Sequence, residues 1–508
     1  MKFNKTKNAA RNVAFGTILK VYQLLVPFIF RTIMVQKIGV EYLGLNSLFI
    51  SVLRVLNLAE LGVGGAMVYS MYKPIAENDT ARVNALMRLY RLYYRVIGLV
   101  ICAVGLAILP FIPKLIHGKV PEDMNVYVLY LMNLSVTVLS YWLFAYRNSI
   151  LNAHQRTDLI SKVGLAAHTF KYVMQLIALV YYRNYYLYVI FRIIAQIITN
   201  IATAVVSRIY YPQYRPEGRL PREEVSRINQ RIRDLFTAKM GGTVVSSADT
   251  IVISAFLGLA ALAKYQNYYY VISSIMAFIT IINISVVAGV GNSLITKDRD
   301  ENYQEFKAFA FLQYWLIGFC VCCFTALFQP FMRLWMGESL LLPFPVVILL
   351  CVVFAAERID KMMSVYKDAG GIWHEDRYRP LIAGIANLVI NVIMVQFWGM
   401  YGIVLSTIIS MVLISIPWIV HNVFRLIFPG EDMKAFVLDM VIWVVLIIAS
   451  AGINYWICSR LPFTGVVEIA AKLCVCIVVP NALYILLFRK KREYQVLLVL
   501  VKRVLHLK

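Results

Sequence analysis

FVLDMVIWVVLIIASAGINYWI, residues 436–457, is a run of 22 residues whose only charged side chain is Asp439. An α-helix rises 1.5 Å per residue, so such a run reaches about 33 Å, enough to cross the roughly 30 Å hydrocarbon core of a bilayer. A similar run follows at 465–488, and working back toward the start the pattern recurs at 401–423, 379–397, 341–358, 308–330, 266–294 and 236–258. It continues at 186–207, 163–182, 126–146, 93–113, 43–70 and 12–34. Fourteen apolar runs predict an all-α integral membrane protein with about 14 transmembrane helices. The short junctions Tyr182-Arg183-Asn184-Tyr185 and Gly399-Met400 fit hairpins between antiparallel spans.

Composition points the same way. The 508 residues are 60% hydrophobic and 15% charged, with a mean hydropathy of +0.70. A soluble domain of this length needs more charge to cover its surface. The net charge of +23 first suggests nucleic acid, but the basic residues gather in short loops between apolar runs, and no zinc-finger, RNP-like or basic-zipper pattern is present. One set of loops holds Lys2, Lys5, Lys7 and Arg11, then Lys73, Arg82, Arg88 and Arg91, then Arg147, Arg156 and Lys162, and so on to Lys490, Lys491 and Arg492. The alternate loops hold little beyond Lys37, Lys114, Lys119, Arg183, Lys264, Arg333 and Arg460. That asymmetry assigns the first set, with both termini, to the cytoplasmic face.

The opening MKFNKTKNAARN resembles the basic start of a signal peptide, but no clear small-x-small cleavage site follows, so 12–34 is read as a permanent helix. Cys320-Val-Cys-Cys lacks the partner ligands of a metal site, and the eight cysteines read as packed or lipid-facing thiols; no metal is expected. The longest polar connection, 208–235, separates a six-helix part, 1–207, from an eight-helix part. Its composition suits either an amphipathic helix on anionic membrane lipids or a solvated linker. The tail after Arg492 reads as a short interfacial helix.

A charged side chain inside a span costs about 2.5–3.5 kcal/mol on insertion scales, so it usually faces a cavity or a partner. The first span carries Lys20, Gln23 and Arg31, with Lys20 and Arg31 close to three turns apart and so nearly on one face. The second carries Arg54, Asn57 and Glu60 at three-residue intervals. The fifth aligns His168, Lys171 and Gln175, and the sixth aligns Arg192, Gln196 and Asn200. Snorkelling explains Arg31 and Arg192 equally well, since both lie toward an interface; Lys171 lies near mid-span. Four of the first six helices can therefore line one wet, mainly cationic interior suited to phosphate or another anion. Lys20, Arg31, Arg54, Lys171 and Arg192 are the candidate anion-binding residues, with Gln23, Asn57, Gln175, Gln196 and Asn200 as polar lining. Glu60, His168 and Asp249 are candidates for coupling to H+ or Na+; Asp249 also reads as a structural partner for a cation. Glu468 and Lys472 form an i,i+4 pair that reads as self-neutralised.

No P-loop, His-Glu-x-x-His pair or nucleophile elbow is present, which argues against an enzyme or an ATP-driven pump and leaves no cofactor to expect. Gly62-Val-Gly-Gly and Gly289-Val-Gly-Asn-Ser read as close helix packing or helix breaks.

Lys37-Ile-Gly-Val-Glu-Tyr-Leu-Gly-Leu-Asn-Ser-Leu-Phe, running on to Leu58-Ala-Glu-Leu-Gly-Val-Gly, resembles bacterial Wzx-like polysaccharide flippases. These belong to the multidrug/oligosaccharidyl-lipid/polysaccharide (MOP) exporter superfamily. Further matches are Tyr72-Lys-Pro-Ile-Ala-Glu-Asn-Asp, Ser247-Ala-Asp-Thr-Ile-Val-Ile-Ser, Tyr265-Gln-Asn-Tyr-Tyr, Gly371-Ile-Trp-His-Glu-Asp-Arg-Tyr-Arg-Pro-Leu and Asn387-Leu-Val-Ile-Asn. The resemblance implies two pseudo-symmetric six-helix lobes, 1–207 and 236–430, plus two C-terminal helices within 431–508. It implies a bacterial plasma-membrane flippase that moves a polyprenyl-pyrophosphate-linked oligosaccharide outward by alternating access. A glycan polymerase and glycosyltransferases are the partners it implies. Direction would come from an ion gradient or from downstream consumption of the glycan. The alternatives are a drug/cation antiporter of the same superfamily, a lipid-facing glycosyltransferase or polymerase, and a non-transporting scaffold of envelope synthesis.

Overall fold

A computed structural model describes residues 5–118 and 120–496; among them the chain is helical, with no strand. Sixteen α-helices follow in order: α1 Lys5–Lys37, α2 Val40–Leu56, α3 Val63–Ala76, α4 Thr80–Ile108, α5 Val126–Trp142, α6 Asn148–Ala153, α7 Thr157–Val180 and α8 Tyr185–Tyr210. Then come α9 Arg222–Leu257, α10 Leu259–Thr296, α11 Arg299–Met336, α12 Phe344–Ala369, α13 Arg379–Ser410, α14 Ile416–Leu426, α15 Met433–Ser459 and α16 Gly465–Phe488. Each of the fourteen apolar runs falls on a helical segment. Among the described residues, nine helices are long and apolar enough to cross a membrane, or ten if the bent pair Val126–Trp142 and Ala145–Ala153 is one span. α9, α10 and α12 match these in length, with 36, 38 and 26 residues. The protein is a multi-pass membrane protein.

Three spans are interrupted. α2 ends in a single 3-10 turn, Asn57–Glu60, and Gly62 turns left-handed at φ 93° before α3 begins, so the Gly62 segment is a helix break. α5 gives way at Leu143 and Phe144, and α6 leaves at 48°. α13 is divided at Gly399, where φ 53° and ψ −128° suit only glycine. Beyond it the chain doubles back: a Cβ at Gly402 would collide with the Met394 carbonyl, and Asn387 Nδ2 donates to Thr407 Oγ1 at 3.0 Å. The Gly399-Met400 hairpin is therefore real. Gly289 and Gly291 lie within α10 instead.

Loop residues set the helix starts. Asp79, Asn125, Asn184, Asp298 and Asp432 each accept a backbone N–H of the first turn at 2.8–3.2 Å, filling donors that a helix leaves open.

Contacts divide the chain into two compact units, residues 1–263 and 264–508. In the first unit the basic loops meet at one end. Asn12 bonds the Gln155 carbonyl and the Asp158 N–H, Arg82 pairs with Glu224 at 3.0 Å, and Arg88 donates to the Gly218 carbonyl. The loops of low charge meet at the other end, through Tyr42 to Asp123, the Tyr186 hydroxyl to the Asn125 N–H, and His117 to the Ser254 carbonyl. In the second unit, Lys297 pairs with Glu305 and Arg379 with Asp360 and Asp376 at the basic end. Tyr268, Gln329 and Leu342 are bonded together at the opposite one.

The linker differs from a helix lying apart on headgroups. α9 runs without a break from Arg222 into the seventh span, and its first turns are fixed to α4 by Arg82–Glu224 and by Tyr93 donating to Asn229. The tenth span also differs: α12 extends to Ala369, so Arg358 and Asp360 lie within a buried helix rather than in a loop. Residues 497–508, which hold most of the expected interfacial tail, lie outside the described residues.

Candidate functional site

Two adjoining features of the first unit concern function. One is a cationic cluster carried by α1, α7 and α8. Helical spacing puts His168 and Lys171 on one face of α7, and Lys171 Nζ donates to His168 Nδ1 at 3.3 Å. A ring nitrogen that accepts from an ammonium carries no proton, so His168 holds its proton on Nε2. That nitrogen lies 3.0 Å from the Gln23 side-chain amide of α1, which serves it through its oxygen. Lys171 also lies 4.2 Å from the centre of the Tyr172 ring. On α8, Arg192 donates to Asn133 Oδ1 at 3.0 Å and lies within electrostatic range of Lys171. Arg31 and Arg192 both act on Tyr188. Gln175 is buried and donates to the Tyr188 carbonyl at 3.0 Å, tying α7 to α8 beneath the cluster. Lys171 and Arg192 form no ion pair with any carboxylate among the described residues. Lys20 and Arg54 are exposed side chains of α1 and α2.

The second feature is an open cavity of about 1120 Å³ lined by residues of α1 and of α3 to α8. Glu60, Gln196 and Asn200 line it, whereas Lys20, Arg31, Arg54, Lys171 and Arg192 do not. Gln196 donates to Asn200, which in turn donates to the Leu139 and Ser140 carbonyls at the exposed end of broken α5. Asn57 accepts from Tyr141, a lining residue, at 3.1 Å. Glu60 accepts from Tyr94 at 3.1 Å, and Tyr94 accepts from Tyr90 at 2.6 Å, so two hydroxyls in series end on the carboxylate. Asp249 is half-buried on α9 between Ser247 and Thr250, both buried.

The polar stripes of the sequence thus separate into two places. His168, Lys171, Gln23, Arg192 and Arg31 share one neighbourhood; Glu60, Gln196 and Asn200, with Asn57 behind Tyr141, share the other. The aromatic walls of the cavity, Tyr69, Tyr72, Tyr90, Tyr94, Tyr141 and Phe144, were not singled out in the sequence, because at helical spacing tyrosine and phenylalanine count as apolar. A cluster of ring residues near one end of three successive spans is the signal that marks them.

Interrupted helical spans, with a polar cavity inside one unit, define a polytopic membrane fold. Solved structures of the MOP superfamily share it. The lipid II flippase MurJ, in an inward closed conformation, matches with a TM-score of 0.65 at 16% identity, over 94% of this chain and 99% of that one. A multidrug resistance MATE transporter in an inward-facing conformation matches with a TM-score of 0.62 at 14% identity, over 82% and 99%. A MOP superfamily transporter from Pyrococcus furiosus, described as having a binding pocket of reverse polarity, matches with a TM-score of 0.55 at 13% identity, over 83% and 96%. No established family profile and no curated protein matches the sequence. The chain therefore has the MOP-superfamily fold.

Proposed function

We propose that this protein is a flippase that carries a polyprenyl-pyrophosphate-linked oligosaccharide to the outer face of a bacterial plasma membrane by alternating access. The observation that carries this reading is the pair Lys171 and Arg192. Two neighbouring like charges, each within a span and each held by a neutral partner, lack the counter-charge that would repay their desolvation. A pyrophosphate supplies it, and both side chains donate charge-assisted hydrogen bonds to phosphoryl oxygens. The polyprenyl chain stays in lipid while alternating access opens the site to one face and then to the other. The basic loops hold the termini at the cytoplasmic face, where glycosyltransferases act upstream and anionic lipids meet the arginines of the 208–235 connection; a glycan polymerase acts downstream at the outer face.

The test is binding of farnesyl pyrophosphate to the purified chain. Lys171→Gln and Arg192→Gln each remove one charged hydrogen bond, worth about 1.5–3 kcal/mol, and should weaken binding about ten- to a hundredfold. Unchanged affinity in both variants overturns the reading.

Direction is proposed to come from H+ or Na+. A proton on His168 would remove the acceptor that holds Lys171 and place a second positive charge beside it, while Glu60 and Asp249 are the carboxylates available for an ion. Flipping in sealed vesicles with and without an imposed gradient tests this, and equal rates remove the coupling.

One feature favours a second reading. A carboxylate among tyrosine rings also suits an organic cation, as in a drug/cation antiporter.

A further inference from the structure

The cavity of the first unit differs in chemistry from the cationic cluster. Among the described residues that line it, Glu60 is the one with a formal charge. The rest of its polar wall is amide and hydroxyl, including Asn148, Asn152, Gln196 and Asn200, groups that donate and accept equally. Its rings are wet. Tyr69 is 60% exposed, Tyr72 46% and Phe144 48%, although each is large enough to be worth burying. Arg231 lies over the Tyr69 ring at 4.6 Å, bracing it.

Phe144 is the telling residue. Its backbone is left-handed, φ 57° and ψ 18°, which is rare and costly for a bulky side chain. It sits where α5 breaks, between Leu143 and the turn that leads to α6. The chain thus interrupts a span and strains a residue so that an apolar ring stands in a polar cavity. Packing does not explain that arrangement, since the ring remains half exposed.

Resting on the flippase reading, we propose that this cavity holds the glycan of the substrate, apart from the pyrophosphate, and selects neutral or amino sugars over acidic ones. A sugar ring has one apolar C–H face, which stacks on an aromatic ring, and a rim of hydroxyls, which amides serve in both directions. The volume of about 1120 Å³ exceeds the roughly 300–1,000 Å³ of small-molecule sites, so several sugar units fit rather than one. Glu60 sets the sign: a uronate would bring a second carboxylate beside it, whereas a hydroxyl or an ammonium is accepted.

The experiment uses the purified full chain and soluble probes that lack both lipid and pyrophosphate. Calorimetric titration with chitotriose should give saturable binding, and trigalacturonate should bind at least about tenfold more weakly. Glu60→Gln should narrow that gap by strengthening trigalacturonate. Phe144→Gly removes the ring while easing the left-handed backbone, so it should abolish chitotriose binding in a protein that melts no lower than the parent. Equal affinity for the two sugars overturns the selectivity, and chitotriose binding unchanged in Phe144→Gly, or no sugar binding at all, overturns the site. Glu60-dependent binding of tetraphenylphosphonium without sugar binding overturns it in favour of a cation site. Farnesyl pyrophosphate binding and its loss in Lys171→Gln report on the flippase reading separately, so failure of one is not failure of the other.

Discussion

Arg379 shows how a single side chain can order one end of the second unit. Its guanidinium bonds Asp376 through Nε at 2.7 Å and Nη2 at 2.9 Å, and reaches Asp360 and Ser415 through Nη1, both at 2.6 Å. Ser415 closes the π-helical turn Met411–Ser415, so one residue joins α12, the 370–378 loop and the second half of the Gly399 hairpin. All three charges are buried. Removing the cation leaves buried Asp360 with its Ser415 hydrogen bond and Asp376 with Lys367 at 3.7 Å, a loss of about 3–5 kcal/mol, whereas Lys keeps the charge but not the two-pronged contact with Asp376. Arg379→Ala should therefore melt well below Arg379→Lys, and Arg379→Lys below the parent, in detergent solution. An Arg379→Ala protein as stable as the parent would show that the network contributes no stability. From sequence alone Arg379 and Arg358 look like ordinary basic residues at span ends. What distinguishes Arg379 is acidic partners three and nineteen residues away, and at 376 and 360 those acids are visible only as loop or helix-end charges. Lys171 stands out in the sequence for the opposite reason: it lies near mid-span, where no acidic partner is in reach along the chain.

Among the elements, the uninterrupted helices were readable and the interruptions only in part. Hydrophobic runs report length and composition, which is why 465–488 coincides with α16 and 436–457 lies inside α15. Gly62 and Gly399 mark their breaks with the residue the backbone needs. The Leu143–Phe144 break carries no Gly or Pro, so tertiary contacts must hold it, and no local rule could find it. The Gly399 break makes a sharp test. Its φ and ψ lie where any side chain is strained, at a cost of about 1–3 kcal/mol, and relief by straightening would undo the Asn387–Thr407 bond. Gly399→Ala should lower the melting temperature and loosen the hairpin, whereas Gly16→Ala on α1, where a Cβ meets nothing within 4 Å, should leave it unchanged. Hydrogen exchange across 387–407 that stays as slow in Gly399→Ala as in the parent would contradict the strain.

For the whole molecule, alternation is the property that charge and contact report independently. The sequence places basic residues in every second loop, and in each unit those loops hydrogen-bond with one another at one end while the others meet at the opposite end. An error of one span anywhere would exchange the ends of every later loop, so agreement in both units supports fourteen crossings more strongly than any one helix does. The division after residue 263 was not legible, because α9 packs on α2 and α3 of the first unit, a contact that no local pattern reveals. Alternation also makes a claim about the cell. With the native cysteines replaced, a single cysteine at exposed Arg219 or Glu375 should react with a thiol reagent only after the membrane is permeabilised. One at exposed Arg183 or Arg460 should react in intact cells. Labelling of Arg219→Cys and Arg183→Cys from the same side would break the charge rule for this chain, and with it the assignment of the cytoplasmic face from which the proposed substrate enters.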